Sequence, residues 1–172
     1  QLAMAAAEVE VAVEDTAALP GAGEDVEIRL ASNPGAPPGP LQRVASGGEL
    51  SRVMMALRLV LSGGPPTMVF DEVDAGIGGE AAVAVGRSLA ELGAERQVLV
   101  VTHLPQVAAF ADHQLRVTKQ VDGTVTVTTV EPLDESDRVV ELSRMLSGSP
   151  GSSTAREHAS ELLEAAARAR GR

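Results

Sequence analysis

The sequence predicts an α/β fold: a parallel strand–helix–strand core with flanking β-hairpins and C-terminal helices. Three observations predict it. Two short apolar runs, Thr67-Met68-Val69-Phe70 and Gln97-Val98-Leu99-Val100-Val101, stop abruptly at polar residues, Asp71-Glu72 and Thr102-His103. Such runs suit strands buried on both faces of a parallel sheet. Between them Ile77, Ala81, Val85, Leu89 and Leu92 recur at the helical period, and Gly93 closes the pattern. Strand, helix and strand then form a βαβ unit, expected to be right-handed. The polar ends of both strands fall on the edge where open α/β sheets bind ligands.

The remaining elements follow in order. Residues 8–13 alternate Glu-Val-Glu-Val-Ala-Val, and Val26, Ile28 and Leu30 keep the same period of two. Residues 19–23, with Pro20, Gly21 and Gly23, read as the turn of a hairpin between them. Residues 32–40, rich in Pro and Gly, read as loop. Ser46-Gly47-Gly48-Glu49 opens a helix with Leu50, Met54, Leu57 and Leu61 on one face, ended by Gly63-Gly64-Pro65-Pro66. Residues 104–111 read as a short helix. Residues 115–120 and 124–130 flank Val121-Asp122-Gly123, and Asp-Gly is a strong hairpin signal. Helices over about 137–147, stopped by Gly148, and about 153–168, started near Ser152 or Ser153, complete the chain. No internal repeat is evident.

Composition excludes several function classes. A length of 172 residues fits one domain or part of a larger one. No apolar run reaches the roughly 18 residues of a membrane helix, and no basic-then-apolar leader is present, so a cytoplasmic chain is expected. There is no Cys, which removes disulfides, thiol nucleophiles and thiolate metal sites together, and three His make a zinc site a poor fit. The 14 basic and 24 acidic residues leave a net charge of −10. A main DNA grip would instead be a basic patch. Two Phe, with neither Tyr nor Trp, supply no stacking platform for single strands.

Three clusters carry chemistry. In Ala45-Ser46-Gly47-Gly48-Glu49-Leu50-Ser51-Arg52, Ser46 and Glu49 form an S-x-x-E capping box, which needs no ligand. The box leaves unexplained two consecutive Gly in a first helical turn, where they cost stability. Gly47 and Gly48 would let another group approach the exposed backbone N–H groups of an anion-binding helix N-terminus. In Met68-Val69-Phe70-Asp71-Glu72-Val73-Asp74, an acidic pair ends a buried strand, which is expensive without partners or work. An Asp at such a place holds Mg²⁺ in P-loop ATPases, and a neighbouring Glu can take a proton from an attacking water. The bland alternative is a solvated acidic turn near a helix N-terminus; for Asp74 the two readings weigh equally. In Val101-Thr102-His103-Leu104-Pro105, a lone His at a strand end is commonly structural. Its place on the strand after the acidic pair points both strand ends into one crevice.

Together these residues resemble ABC-type ATPases: Ser46–Glu49 the signature, Met68–Glu72 the Walker B motif, 73–77 the D-loop, and 101–103 the switch-histidine strand. Glu49, where transporters carry Gln, the run from Asp71 to Gly79, the run Thr102-His103-Leu104-Pro105-Gln106-Val107-Ala108 and the Ser32-Asn33-Pro34-Gly35 loop are similar to the RecN-type family of SMC-like DNA repair and recombination ATPases. The likeness covers about residues 24–148. It implies the C-terminal lobe of an ABC/SMC-type head, residues 1–172 forming a single lobe. Residues 1–7 would leave a coiled coil, 8–40 form a hairpin and loop, 41–130 the motif core, and 131–172 the C-terminal helices. It further implies that Ser46, Gly47, Gly48 and Glu49 face the γ-phosphate of ATP on a second head. Asp71 would order Mg²⁺, Glu72 act as general base, Asp74 sit at the head–head interface and His103 contact the γ-phosphate. The role of Arg52 stays open.

The Gly-x-x-x-x-Gly-Lys-Ser/Thr loop that cradles phosphates is missing. The single lysine, Lys119, lies in a predicted hairpin, and Arg58 and Arg87 lie in helical patterns. The resemblance therefore implies a partner lobe carrying the Walker A loop, and a chain that by itself is inactive and exposes apolar sheet surface, so that it self-associates. It also implies a homodimer of heads, duplex DNA held through the complete protein, a bacterial nucleoid-associated location and no membrane. Three alternatives compete: a transporter ATPase domain, a non-hydrolysing ATP-gated clamp module, and a capped α/β domain without a nucleotide role.

Overall fold

The computed structural model describes residues 6–15, 24–31, 33–61, 64–122, 125–149 and 151–171. The alternating N-terminal segments form β1 (Glu8–Asp15) and β2 (Glu24–Ala31), antiparallel in a register that pairs Val9 with Leu30 and Val13 with Val26. The expected turn at 19–23 lies outside the described residues. Gly39 and Pro40, read as loop, instead form a two-residue strand, β3 (Gly39–Pro40), against Leu30 and Arg29. An edge strand is where Pro is tolerated in a sheet. One helical turn, α1 (Leu41–Val44), follows, and Leu41 packs with Leu30 and Val53 in a small core of its own.

Helix α2 (Gly47–Val60) begins at the expected place. Its buried face differs from the expected stripe: Met54 and Leu61 are exposed, whereas Val53, Met55 and Arg52 are buried. The helix is wedged between two cores. Val53 joins the Leu30–Leu41 cluster, and Met55 joins the main one. A helix with neighbours on two sides does not show a single apolar stripe.

The main core surrounds β4 (Thr67–Phe70) and β5 (Gln97–Val100), which pair in parallel with Met68 beside Val98 and Phe70 beside Val100. Between them runs α3 (Gly79–Gly93), whose Val85, Leu89 and Leu92 pack on Met68 and Phe70. Ile77 precedes the helix and packs on the same core from the turn. The two strands are buried on one face only. Val69, Leu99 and Val101 are 66%, 48% and 61% exposed on the other. This corrects the expectation of two-sided burial. Met55 of α2 and the α3 residues share one cluster with Met68, Phe70, Val98 and Val100, so the described helices cover a single side of the sheet.

Beyond the core come α4 (Pro105–Ala108) and an antiparallel hairpin of β6 (Gln114–Asp122) and β7 (Val125–Leu133). Both strands are longer than expected. Val121 and Asp122 are the last paired residues of β6, not the turn, and Gly123 lies outside the described residues. Helices α5 (Glu135–Ser147) and α6 (Ser153–Ala169) close the fold. Each starts on a side-chain cap, Asp134 and Ser152, and α5 ends at Gly148 in the left-handed region. Leu142 and Ala159 form their shared core with Phe110. Among the described residues no helix is long and apolar enough to cross a membrane.

Candidate functional site

The first turn of α2 holds the capping box in full. Ser46 Oγ accepts from the Glu49 N–H at 3.3 Å, and Glu49 Oε2 accepts from the Ser46 N–H and hydroxyl, each at 2.8 Å. Ser46 and Glu49 are therefore engaged with each other. The paired glycines have separate explanations. A Cβ on Gly48 would stand 3.0 Å from the carbonyl oxygens of Glu72 and Ala75 and 2.9 Å from the Ala75 methyl. Only glycine lets α2 lie this close to the turn after β4. A Cβ on Gly47 would meet only the end of the Glu72 side chain, with Oε2 at 2.8 Å. The group that approaches this helix N-terminus is thus the chain's own 72–75 turn, with the Glu72 carboxylate beside the positive end of the helix dipole.

The turn after β4 starts with two exposed carboxylates. Asp71 Oδ1 accepts the Glu72 N–H at 2.9 Å, and Ser51 of α2 donates its hydroxyl to the Asp71 carbonyl at 3.0 Å. Among the described residues, Glu72 alone of the non-glycine residues has a positive φ, 57°. Asp71 presents an exposed carboxylate, the donor type of which Mg²⁺ takes one or two while completing its shell with water and phosphate oxygens. Among the described residues no three His, Cys, Asp or Glu gather into a metal cage.

Asp74 is the buried carboxylate of this turn. Its side chain is 3% exposed. It accepts the Thr102 hydroxyl, the His103 N–H at 3.0 Å, and lies 3.1 Å from His103 Nδ1. The reason is physical: a carboxylate at this depth needs donors, and the end of β5 supplies them. The His103 ring remains largely exposed at that edge. The structure thus brings both strand ends together, through Asp74 rather than through the acidic pair.

Arg52, whose role the sequence left open, is 5% exposed. Its Nη1 donates to the carbonyls of Val73, at 3.2 Å, and Ala75, at 2.9 Å. Burial pulls its pKa below the ordinary arginine value, and Glu49 opposes that shift. Sequence reasoning missed this contact and Thr102. The available signal was an arginine one residue from Val53 on a helix that had to be covered. Lys119, the single lysine, sits in β6 opposite Thr128, and Arg58 and Arg87 lie in α2 and α3.

No family model matches the chain. Curated relatives do. The chain is 56% identical over 160 residues to the DNA repair protein RecN of Streptomyces coelicolor, covering 92% of this chain and 28% of that protein. It is 56% identical over 139 residues to RecN of Deinococcus radiodurans, covering 81% and 24%. RecN of Treponema pallidum is 47% identical over 149 residues, covering 86% and 26%. The chain thus spans about a quarter of the length of these relatives. Among solved structures, an Smc head domain with coiled coil and joint from Pyrococcus yayanosii shares the fold, with a TM-score of 0.56 and 22% identity, covering 79% of this chain and 25% of that one. An SmcHead bound to the C-winged helix domain of ScpA gives a TM-score of 0.51 at 19% identity, covering 78% and 40%. With RecN sequence along most of its length and the SMC-head fold beneath it, the chain belongs to the RecN family, as the C-terminal lobe of its SMC-like head.

Proposed function

We propose that this lobe supplies half of a composite ATPase site in a RecN-type DNA double-strand-break repair and recombination protein. The observation that carries the reading is the assembly of signature helix, acidic turn and histidine strand end into one hydrogen-bonded unit. In that reading Ser46, Gly47 and Gly48 meet the γ-phosphate of ATP held by a second head. The helix dipole and first-turn N–H groups favour an anion there. Glu49 holds Ser46 in place. Asp71 would hold Mg²⁺, which when bound neutralises phosphate charge. Glu72 takes the proton of the attacking water, and His103 contacts the γ-phosphate. ATP binding then joins two heads and hydrolysis releases them.

The partner lobe with the Walker A loop, the second head and duplex DNA are the expected partners, in the bacterial cytoplasm at the nucleoid and with no membrane involved. DNA contacts fall mostly on other parts of the protein, since this lobe carries a net charge of −10. Alone it is expected to be inactive.

The test is Mg²⁺-dependent ATP hydrolysis by this chain alone, then mixed with the rest of its protein, with and without duplex DNA. Silence alone and turnover on mixing support the reading, and a DNA response supports its repair role. Silence in both turns the reading towards a non-hydrolysing clamp. Turnover by the chain alone defeats the inference that it lacks a phosphate-binding loop.

A further inference from the structure

Arg52 is charged, buried, and directed onto the backbone of the turn that follows β4. Its Nη1 reaches across from α2 to the carbonyls of Val73 and Ala75, which flank Asp74. Asp74 in turn receives the Thr102 hydroxyl and the His103 N–H. The Thr102 hydroxyl oxygen also accepts the Leu104 N–H at 3.0 Å, fixing the entry to α4. One side chain therefore links the signature helix to the turn, and one carboxylate links that turn to the histidine strand end. Gly48 keeps the two surfaces close enough for Arg52 to span them.

We propose that Arg52 is a positioning residue for hydrolysis: it locks the 72–75 turn onto the signature helix, so that the helix N-terminus, Glu72 and His103 move as one rigid piece. This rests on the function proposed above. An ion pair would serve this purpose less well. A carboxylate partner could rotate or protonate, whereas two carbonyls on either side of Asp74 fix the backbone of the turn itself. When a second head presses a nucleotide on Ser46, Gly47 and Gly48, the displacement passes through Arg52 to the turn that carries the base. Through Asp74 it reaches His103.

The test uses the complete RecN-type protein, with Arg52→Met, which keeps the buried bulk but donates nothing, and Arg52→Lys, which keeps the charge on a shorter side chain. Hydrogen exchange is read on peptides covering 71–78 and 101–106, alongside the kcat and KM for ATP. Loss of hydrogen bonds from a charged donor is expected to speed exchange in both peptides by ~10-fold and to lower kcat by about 10-fold, with KM held within about twofold. Exchange in α3 and α5 should stay at the wild-type level. If Arg52→Met does not fold, Arg52→Lys decides on the same readouts. Exchange confined to 71–78, a uniform rise over the whole lobe, or normal kcat would overturn the proposal. A wild-type protein without turnover, whose variants still loosen both peptides, would defeat the proposed function and leave the mechanical link standing.

Discussion

The carboxylate of Asp74 lies 3.1 Å from Nδ1 of His103, a residue 29 positions along the chain, in the segment that follows the other strand of the parallel pair. Asp74 thus acts within its own lobe as the joint between the two strand ends. Asp74→Ala removes the acceptor for the Thr102 hydroxyl and the His103 N–H. Leaving such donors unsatisfied is expected to cost ~2 kcal/mol, read as a lowered midpoint in urea. Unchanged stability would show that water replaces the carboxylate without loss.

Glu72→Gln in the complete protein should trap ATP-bound head dimers. Removing a general base lowers turnover by about 100-fold or more. Sedimentation with ATP and Mg²⁺ should show the dimer persisting. Wild-type turnover in this variant would remove Glu72 from the mechanism.

The two signature glycines should respond differently. Gly48→Ala forces a methyl against backbone carbonyls and should destabilise by about 1–3 kcal/mol, the usual range for overpacking. Gly47→Ala meets only the mobile end of Glu72, so stability should change by less than ~1 kcal/mol. Turnover should nonetheless fall, because the Glu72 carboxylate is displaced. Equal thermal midpoints for the two variants would contradict this assignment.

The Asp134 carboxyl is held below the usual aspartate range by the Asp137 N–H and the Ser136 hydroxyl. Its pKa is depressed in the folded state, so its stabilising effect on α5 is complete above the unfolded value. That effect is lost as pH falls through the folded one. Asp134→Ala should lower stability at neutral pH and flatten the acid limb of the stability profile. A limb identical to wild type would show that the cap is not linked to folding.

The uncovered sheet face should drive self-association of the chain alone, opposed in part by its net charge. Replacing Val69, Leu99 and Val101 together with Thr should shift sedimentation towards monomer. A wild-type chain that already runs as a stable monomer would count against an adhesive face.

Much of this was legible in the sequence because it is local. The capping box, the α6 start, Gly148 and the alternation of β1 and β2 are each written within a few neighbouring residues. So are the two apolar runs of the parallel pair. The Asp134 cap, which starts α5 two residues before the expected 137, was passed over. What was not legible depends on contacts between distant segments. Periodicity placed Met54 and Leu61 on the buried face of α2, because a single stripe assumes a single neighbour. The runs in β4 and β5 carry apolar residues on both faces, and composition cannot say which face is covered. Asp74 looked equally suited to a solvated turn or to chemistry, since its donors, Thr102 and His103, arrive from the distant segment after β5. Arg52 was visible as a residue but not as a contact, because its partners are backbone carbonyls, which leave no trace in side-chain identity.

The left-handed backbone at Glu72 has a consequence for how this position changes over generations. A side chain with a Cβ is disfavoured there by roughly 1–2 kcal/mol; glycine would remove that cost, and asparagine would offset part of it by hydrogen-bonding locally. Random drift under selection for folding alone would therefore erode the glutamate. Its persistence across a lineage would measure selection for turnover directly, and descendants released from hydrolysis should lose it early, gaining thermal stability as they do.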